Sequence, residues 1–292
     1  MSLSYAVVTP ARDEAENLPR LAASLVAQTV PPALWVVVEN GSSDDTHAAA
    51  RELEREHPWI RALTAPPGPP AARGAPVVRA FHAALEALDG EVDLVVKLDA
   101  DVSVGPGYFA RLLAAFEADP LLGMASGTCV ETLDGAPARE RHVTGGHVWG
   151  AARAYRWACL QDVLPLEERM GWDGIDVIKA ATRGWRTETL RDLPFRHHRL
   201  EGTRDGSRVR VWRAQGDAAY FMGYRPSYVL LRTLHRASRE PAALMILWAW
   251  LAAATRRRPR IADELVREHL RRQQSLRRLP ARAREALGRR GR

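Results

Sequence analysis

Short apolar runs alternate along the first hundred residues with stretches whose apolar positions recur at helical spacing. Tyr5-Ala6-Val7-Val8 is closed by Thr9-Pro10, and Leu34-Trp35-Val36-Val37-Val38 and Leu94-Val95-Val96-Lys97-Leu98 are runs of the same kind. Runs this short and this apolar predict strands buried on both faces. Between them, Leu18, Leu21, Leu25 and Val26 predict a helix reaching Gln28, and Asp44-Asp45 opens a second that reaches about Glu56. Ile60 to Leu63 predicts a weak further strand. Pro66-Pro67-Gly68-Pro69-Pro70 must be loop, because proline lacks the donor and fixes φ. A helix from about Ala75 to Leu88 carries Val78, Phe81, Leu85 and Leu88. Strands alternating with helices imply an α/β class: a mainly parallel sheet with helices on both faces.

In such sheets the ligand lies beyond the carboxyl ends of the strands. Those ends are Thr9 to Glu14, Glu39 to Ser43 and Asp99 to Asp101, so three polar clusters converge on one edge. Asp99-Ala100-Asp101 is the sharpest of them. Two carboxylates one residue apart, just past a buried strand, can face a divalent cation bound to a diphosphate; Mg²⁺ and Mn²⁺ take oxygen ligands of this kind. Further along, the pattern predicts a helix over Tyr108 to Glu117, a strand around Gly123 to Gly127, a polar loop over 130–145, helices near 148–163 and 174–183, and loop over 192–217.

Charge and cysteine content narrow the classes. Cys129 and Cys159 are the only cysteines, which excludes a disulfide scaffold and a Cys-rich zinc module. Met1-Ser2-Leu3-Ser4-Tyr5 has no basic patch leading into an apolar stretch, so no secretory signal is expected and a cytoplasmic setting follows. The net charge of +7 is unevenly placed. From Arg256 to Arg292, 14 arginines stand against four acids, a local balance of +10, which leaves residues 1–255 at −3. The globular part is mildly acidic and the basicity belongs to a tail. Binding of nucleic acid through that tail is one alternative, but it has few interleaved aromatics.

Four segments resemble family 2 glycosyltransferases. Val7-Val8-Thr9-Pro10-Ala11-Arg12-Asp13-Glu14 resembles that family's first strand and nucleotide loop. Val37-Val38-Glu39-Asn40-Gly41-Ser42-Ser43-Asp44-Asp45-Thr46 resembles its second strand and acidic turn. Lys97-Leu98-Asp99-Ala100-Asp101 is similar to its Asp-x-Asp strand end, and Gly171-Trp172-Asp173-Gly174-Ile175-Asp176, with Gly184-Trp185-Arg186 downstream, to the acidic motif opening its catalytic helix. The resemblance implies a GT-A fold, an α/β/α sandwich, in a catalytic domain over 1–223. Its nucleotide-binding half is about 1–103 and its acceptor-binding half about 104–223. It implies inverting transfer of a sugar from a nucleotide-diphosphate sugar to an acceptor hydroxyl, on a cell-envelope glycan or a lipid-linked acceptor, with Mn²⁺ or Mg²⁺ as cofactor.

By position, the resemblance assigns Pro10, Ala11, Arg12 and Glu14 to base and ribose, and Glu39 and Asn40 to the base. Asp99, Ala100 and Arg73 would stand at the sugar diphosphate, where a planar guanidinium suits phosphate oxygens. Asp99 and Asp101 would hold the metal, and a late histidine, His197, would be a third ligand. Asp173 is the implied catalytic base and Asp176 the fallback; Trp172 stands where the family commonly has a first acid. His142 and His147, in the polar loop, are given no role. A nucleotidyltransferase making the sugar nucleotide is the other enzymatic alternative, but it would need a Gly-rich first loop, and Thr9 to Glu14 has no glycine.

Residues 224–292 read as a helical, Arg-rich extension. Ala242 to Ala254 is an apolar run with Trp248 and Trp250, followed by Arg256-Arg257-Arg258-Pro259-Arg260. No apolar run reaches the ~18–20 residues of a membrane-spanning helix. The run suits a peripheral anchor on an anionic membrane, at the inner face of the cell membrane, and equally a helix packed on the catalytic domain or on a second subunit of a homo-oligomer.

Overall fold

The valine-rich runs become the middle of a sheet with helices on both sides. The computed structural model describes residues 3–66, 74–88, 92–131, 139–140, 146–199 and 207–275. Strands β1 (Tyr5–Ala11), β2 (Leu34–Glu39), β3 (Ile60–Thr64) and β4 (Leu94–Leu98) run parallel in the order β3-β2-β1-β4. Side chains alternate between faces along a strand, and the core divides accordingly. Tyr5, Val7, Trp35, Val37, Leu94 and Val96 pack with Leu18, Leu21 and Leu25 of α1 (Leu18–Val26) and with Ala50 and Leu53 of α2 (Thr46–Glu56). Ala6, Val8, Val36, Val38 and Val95 pack on the opposite face with Val78, Phe81 and Ala84 of α3 (Ala75–Glu86). Each buried Val, Leu or Phe contributes roughly 1.5–3 kcal/mol. This two-faced burial is why the runs lack polar alternation.

Beyond β4 the sheet turns mixed. β5 (Val102–Val104) and α4 (Tyr108–Ala118) follow it, then β6 (Leu122–Glu131), β7 (Arg139–Glu140) and β8 (Ala152–Arg156). α5 (Trp157–Val163), α6 (Trp172–Thr182) and β9 (Arg186–His197) complete the unit. The order continues from β4 as β8-β6-β9-β5, with β7 on β6. β8 is antiparallel to both β4 and β6, β9 is parallel to β6, and β5 is antiparallel to β9. The fold is GT-A.

Two sequence expectations are corrected here. The helix expected near 148–163 exists only as α5, and residues 152–156 form β8. Ala152-Arg153-Ala154-Tyr155 reads as helix former, but wedged between β4 and β6 it is buried throughout, and pairing overrides propensity. Of the loop expected over 192–217, residues 192–197 are the end of β9 and 208–217 the start of α7 (Arg208–Phe221), while 200–206 lie outside the described residues. Outside Leu193 and Phe195, β9 is exposed or half-buried, so its sequence lacks a strand's apolar signature. Most of the polar loop expected over 130–145, His142 included, lies outside the described residues.

The chain divides into compact units at 1–204 and 205–292, and α7 falls in the second. In the second unit α7, α8 (Pro226–Ala237) and α9 (Leu244–Thr255) gather around Tyr220, Val229, Ile246 and Trp250, and α10 (Glu264–Gln273) follows with Val266 and Leu270 buried. Among the described residues no helix is long and apolar enough to cross a membrane.

One glycine fixes the α3–α6 approach. Gly74 precedes α3 at φ 92°, and a Cβ there would lie 2.7 Å from the Arg169 carbonyl oxygen and 3.2 Å from Trp172 Cδ1. Gly74→Ala is expected to lower stability by about 2–4 kcal/mol, from backbone strain and overlap together. Urea denaturation reads this directly; a loss below about 1 kcal/mol would mean that the α3–α6 contact yields easily.

Candidate active site

The polar ends of β1 and β2 are bonded to each other. The Ser43 amide donates to Asp13 Oδ1 at 2.7 Å, and the Ser43 hydroxyl to the same oxygen at 3.0 Å. The Asp13 amide donates to Ser42 Oγ at 3.1 Å, the Glu14 amide to Thr46 Oγ1 at 2.7 Å and the Ala15 amide to Asp44 Oδ2 at 3.1 Å. The backbone bond from Ser43 is the main reason the Asp13 carboxyl titrates below its ordinary range. Asp13 itself sits at φ 55°, a left-handed turn that aspartate tolerates better than most residues.

The expected nucleotide residues are distributed unevenly around this double loop. Pro10 is half-buried, Ala11 and Ala100 are buried, and Arg12 is exposed, with its guanidinium 3.9 Å from Asp13. Glu39 is turned onto its own loop: Oε1 accepts the Gly41 amide at 2.6 Å and the Ser42 amide at 2.5 Å. Its carboxylate holds the turn. Asn40 donates from Nδ2 to the Pro76 carbonyl at 3.2 Å, while its buried Oδ1 has no hydrogen-bond partner among the described residues. A buried acceptor without a donor is costly and marks a place where a ligand N–H would be welcome. Glu14 is buried and receives both Arg199 nitrogens, at 3.2 and 3.1 Å, and Asn17 Nδ2 at 2.6 Å. Arg73 lies outside the described residues.

At the end of β4 the two aspartates face different cations. Asp99 Oδ1 accepts from Lys97 Nζ, which also donates to the Gly150 carbonyl at 2.8 Å. Burial raises the Asp99 carboxyl above the ordinary range, the nearby Asp101 charge adds to this, and Lys97 opposes it. Asp101 lies 3.3 Å from His197 Nε2 and 3.6 Å from Arg199 Nη1. Burial disfavours the charged His197, but the Asp101 hydrogen bond and charge outweigh it, so the imidazole pKa is raised. β5 pairs with β9 so that Val102 faces His197, and that register brings the late histidine to the aspartates. Carboxylate oxygens with one imidazole suit Mg²⁺ or Mn²⁺. Among the described residues no cluster of three or more His, Cys, Asp or Glu side chains is set to hold a metal by itself. Asp101 and His197 fit one whose remaining ligands come from phosphate oxygens.

Asp173 and Asp176 part ways. Gly171, at φ 87°, opens α6 and places Asp173 in its first turn. The Asp173 carboxylate stands over Gly150, with Oδ2 3.4 Å from where a Cβ on that glycine would be, and it takes no hydrogen bond from a described side chain. Asp176 is 1% exposed and lies inside. It accepts from Arg153 Nη1 at 2.6 and 2.5 Å and from the Tyr155 hydroxyl at 2.6 Å. Asp176 therefore cannot serve as the fallback base: its oxygens are spent on a buried guanidinium. Arg153 also donates from Nη2 to the Asp173 carbonyl at 2.9 Å and to the Val148 carbonyl.

Asp99, Asp173 and His197 line one cavity of about 330 Å³, with Lys97, Trp149 and Trp172 among its walls. The Trp172 ring lies 5.7 Å from Lys97 Nζ and 5.4 Å from Arg153 Cζ. His147 is on the rim and Thr189 donates to its carbonyl at 2.5 Å. A larger cavity of about 680 Å³, between the start of α4 and the bulged part of β9, shares no residue with this one. Lys97, Arg153 and Arg199 were not anticipated. The available signal for Lys97 was a lysine inside a run of valines; Arg153 and Arg199 find their partners only through the fold.

Known proteins agree with this architecture. The family model described as Glycosyl transferase family 2 matches residues 6–144. No curated protein sequence matches the chain. A mannosyltransferase, PcManGT of Pyrobaculum calidifontis, solved with GDP-Man and Mn²⁺, is 18% identical with a TM-score of 0.57, over 87% of this chain and 76% of that one. S. aureus TarS 1-349 with UDP-GlcNAc is 17% identical at TM-score 0.55, over 75% of this chain and 67% of that one. GalNAc-T7, solved with UDP, GalNAc and Mn²⁺, is 12% identical at TM-score 0.57, over 75% of this chain and 48% of that one.

Proposed function

We propose that this chain, whose residues 6–144 match the family 2 glycosyltransferase model and whose fold is GT-A, transfers a sugar, with inversion, from a nucleoside-diphosphate sugar to an acceptor hydroxyl. The observation that carries this reading is the single cavity shared by Asp99, Asp173 and His197, with the Asp173 carboxylate hydrogen-bonded to no described side chain. The acceptor oxygen attacks the anomeric carbon from the face opposite the diphosphate. The carbon–oxygen bond to the diphosphate breaks and its electron pair leaves with the nucleoside diphosphate. Asp173 takes the acceptor proton, which requires hydrogen-bond reach of that hydroxyl.

Asp101 and His197, with Asp99 beside them, would hold a divalent cation whose charge offsets the charge developing on the leaving diphosphate. Lys97 keeps Asp99 oriented through its bonds to Asp99 and the Gly150 carbonyl. Trp149 and Trp172 wall the cavity and exclude water from the reacting carbon. The open Asn40 Oδ1 supports base recognition at the end of β2, while Glu39 acts there by holding the turn.

A thermal-shift panel of UDP- and GDP-sugars, with and without Mn²⁺, tests the donor. Ligand at 100 times its Kd stabilises the folded state by about 2.7 kcal/mol, so one nucleotide class should raise Tm, and more so with Mn²⁺. Asp101→Asn is expected to lose the Mn²⁺-dependent part of that rise. If no sugar nucleotide moves Tm, or if Asp101→Asn responds as the unmodified protein does, the reading is wrong.

A further inference from the structure

Exposed large apolar side chains are concentrated in the second unit. Ten such residues occur among the described ones, and eight of them lie beyond residue 205. Six form two helical stripes. On α8 they are Leu230, Leu231 and Leu234; on α9 they are Leu244, Trp248 and Leu251, at 53%, 49% and 48% exposure. The spacing on α9, with steps of four and three residues, is that of one helix face.

α9 has no polar side chain from Leu244 to Ala254. A helix apolar all round belongs in a core or in lipid. Here Ile246, Ala249, Trp250 and Ala253 are buried and the opposite stripe is left uncovered. Twelve residues at about 1.5 Å each reach ~18 Å, short of a ~30 Å hydrocarbon core, so α9 cannot span a bilayer.

Charge identifies what covers the stripe. Residues 207–275 carry 14 arginines against five acids, a balance of +9. Arg256 and Arg257 follow α9 directly and are exposed, with no ion pair among the described residues. The Arg213 guanidinium lies 5.3 Å from the exposed Trp248 ring. Two copies meeting through such a face would bring like charge against like charge. An anionic surface with an apolar interior answers both features at once.

We propose that the second unit seats on an anionic phospholipid surface. The α8 and α9 stripes enter the headgroup–acyl boundary and the surrounding arginines meet lipid phosphates. The inference rests on this unit alone and is independent of the reaction assigned to the first.

Sedimentation of the full chain with vesicles tests it. Vesicles of phosphatidylcholine with 30% phosphatidylglycerol should bind the protein, pure phosphatidylcholine should bind it at least about tenfold more weakly, and added NaCl should release it. Leu244→Ser/Trp248→Ser/Leu251→Ser should weaken binding about tenfold or more. Arg256→Ser/Arg257→Ser, which touches no core residue, should weaken it about 30-fold, with Tm unchanged. Equal binding of the unmodified protein to both vesicle types would overturn the proposal. So would a salt-insensitive interaction, an Arg256→Ser/Arg257→Ser variant that binds undiminished, or a dimer in equilibrium sedimentation with no vesicle binding.

Discussion

Asp173→Asn should reduce turnover on the order of 10³-fold while leaving nucleotide affinity within about twofold, the range expected when a positioned proton acceptor is removed. The asparagine keeps the size of the side chain and the first turn of α6 but cannot take a proton. The split follows from geometry. Asp173 stands over Gly150 in the first turn of α6, whereas the groups proposed for the donor lie at the ends of β1, β2 and β4. Single-turnover kinetics and calorimetry with the nucleoside diphosphate measure the two quantities separately. Loss of nucleotide affinity as large as that of Asp101→Asn would assign Asp173 to donor binding and remove it as the base.

Asp176→Ala should cost about 3–5 kcal/mol of folding stability, the range for removing one partner of a buried ion pair. Arg153 is 0% exposed, and Asp176 is the only carboxylate hydrogen-bonded to it among the described residues. The Tyr155 hydroxyl loses its acceptor in the same step. Because Arg153 also holds the carbonyls of Asp173 and Val148, the damage should reach Asp173 through the first turn of α6. Chemical denaturation with intact and substituted protein gives the number. A cost below about 1 kcal/mol would mean that water enters and solvates the guanidinium.

These residues also mark what a sequence can reveal. β1, β2 and β4 were legible because both faces of the sheet are covered, so four or five apolar residues must stand in a row. The convergence of Asp99 and Asp101 with the ends of β1 and β2 followed from the direction of those strands. Asp173 was reachable through the family resemblance, and its separation from Asp176 was not. They lie three residues apart on one helix, and only the placement of Arg153 on β8 decides which is consumed inside. β8 itself was hidden because an alanine-rich segment reads as helix until the strands on either side are known. α7 was hidden by its near-uniform mixture of charged and small residues, and Glu39 by a local use, tying two amides of its own turn.

The bonds joining the β1 and β2 loops have a thermodynamic consequence. Asp13, Ser42, Ser43, Asp44 and Thr46 hold one another whether or not a nucleotide is near. A donor arriving there meets a rim whose conformational freedom was surrendered during folding, so little ordering remains to oppose association. Affinity at this rim should vary with the fit of each base far more than with the suppleness of the loops that receive it.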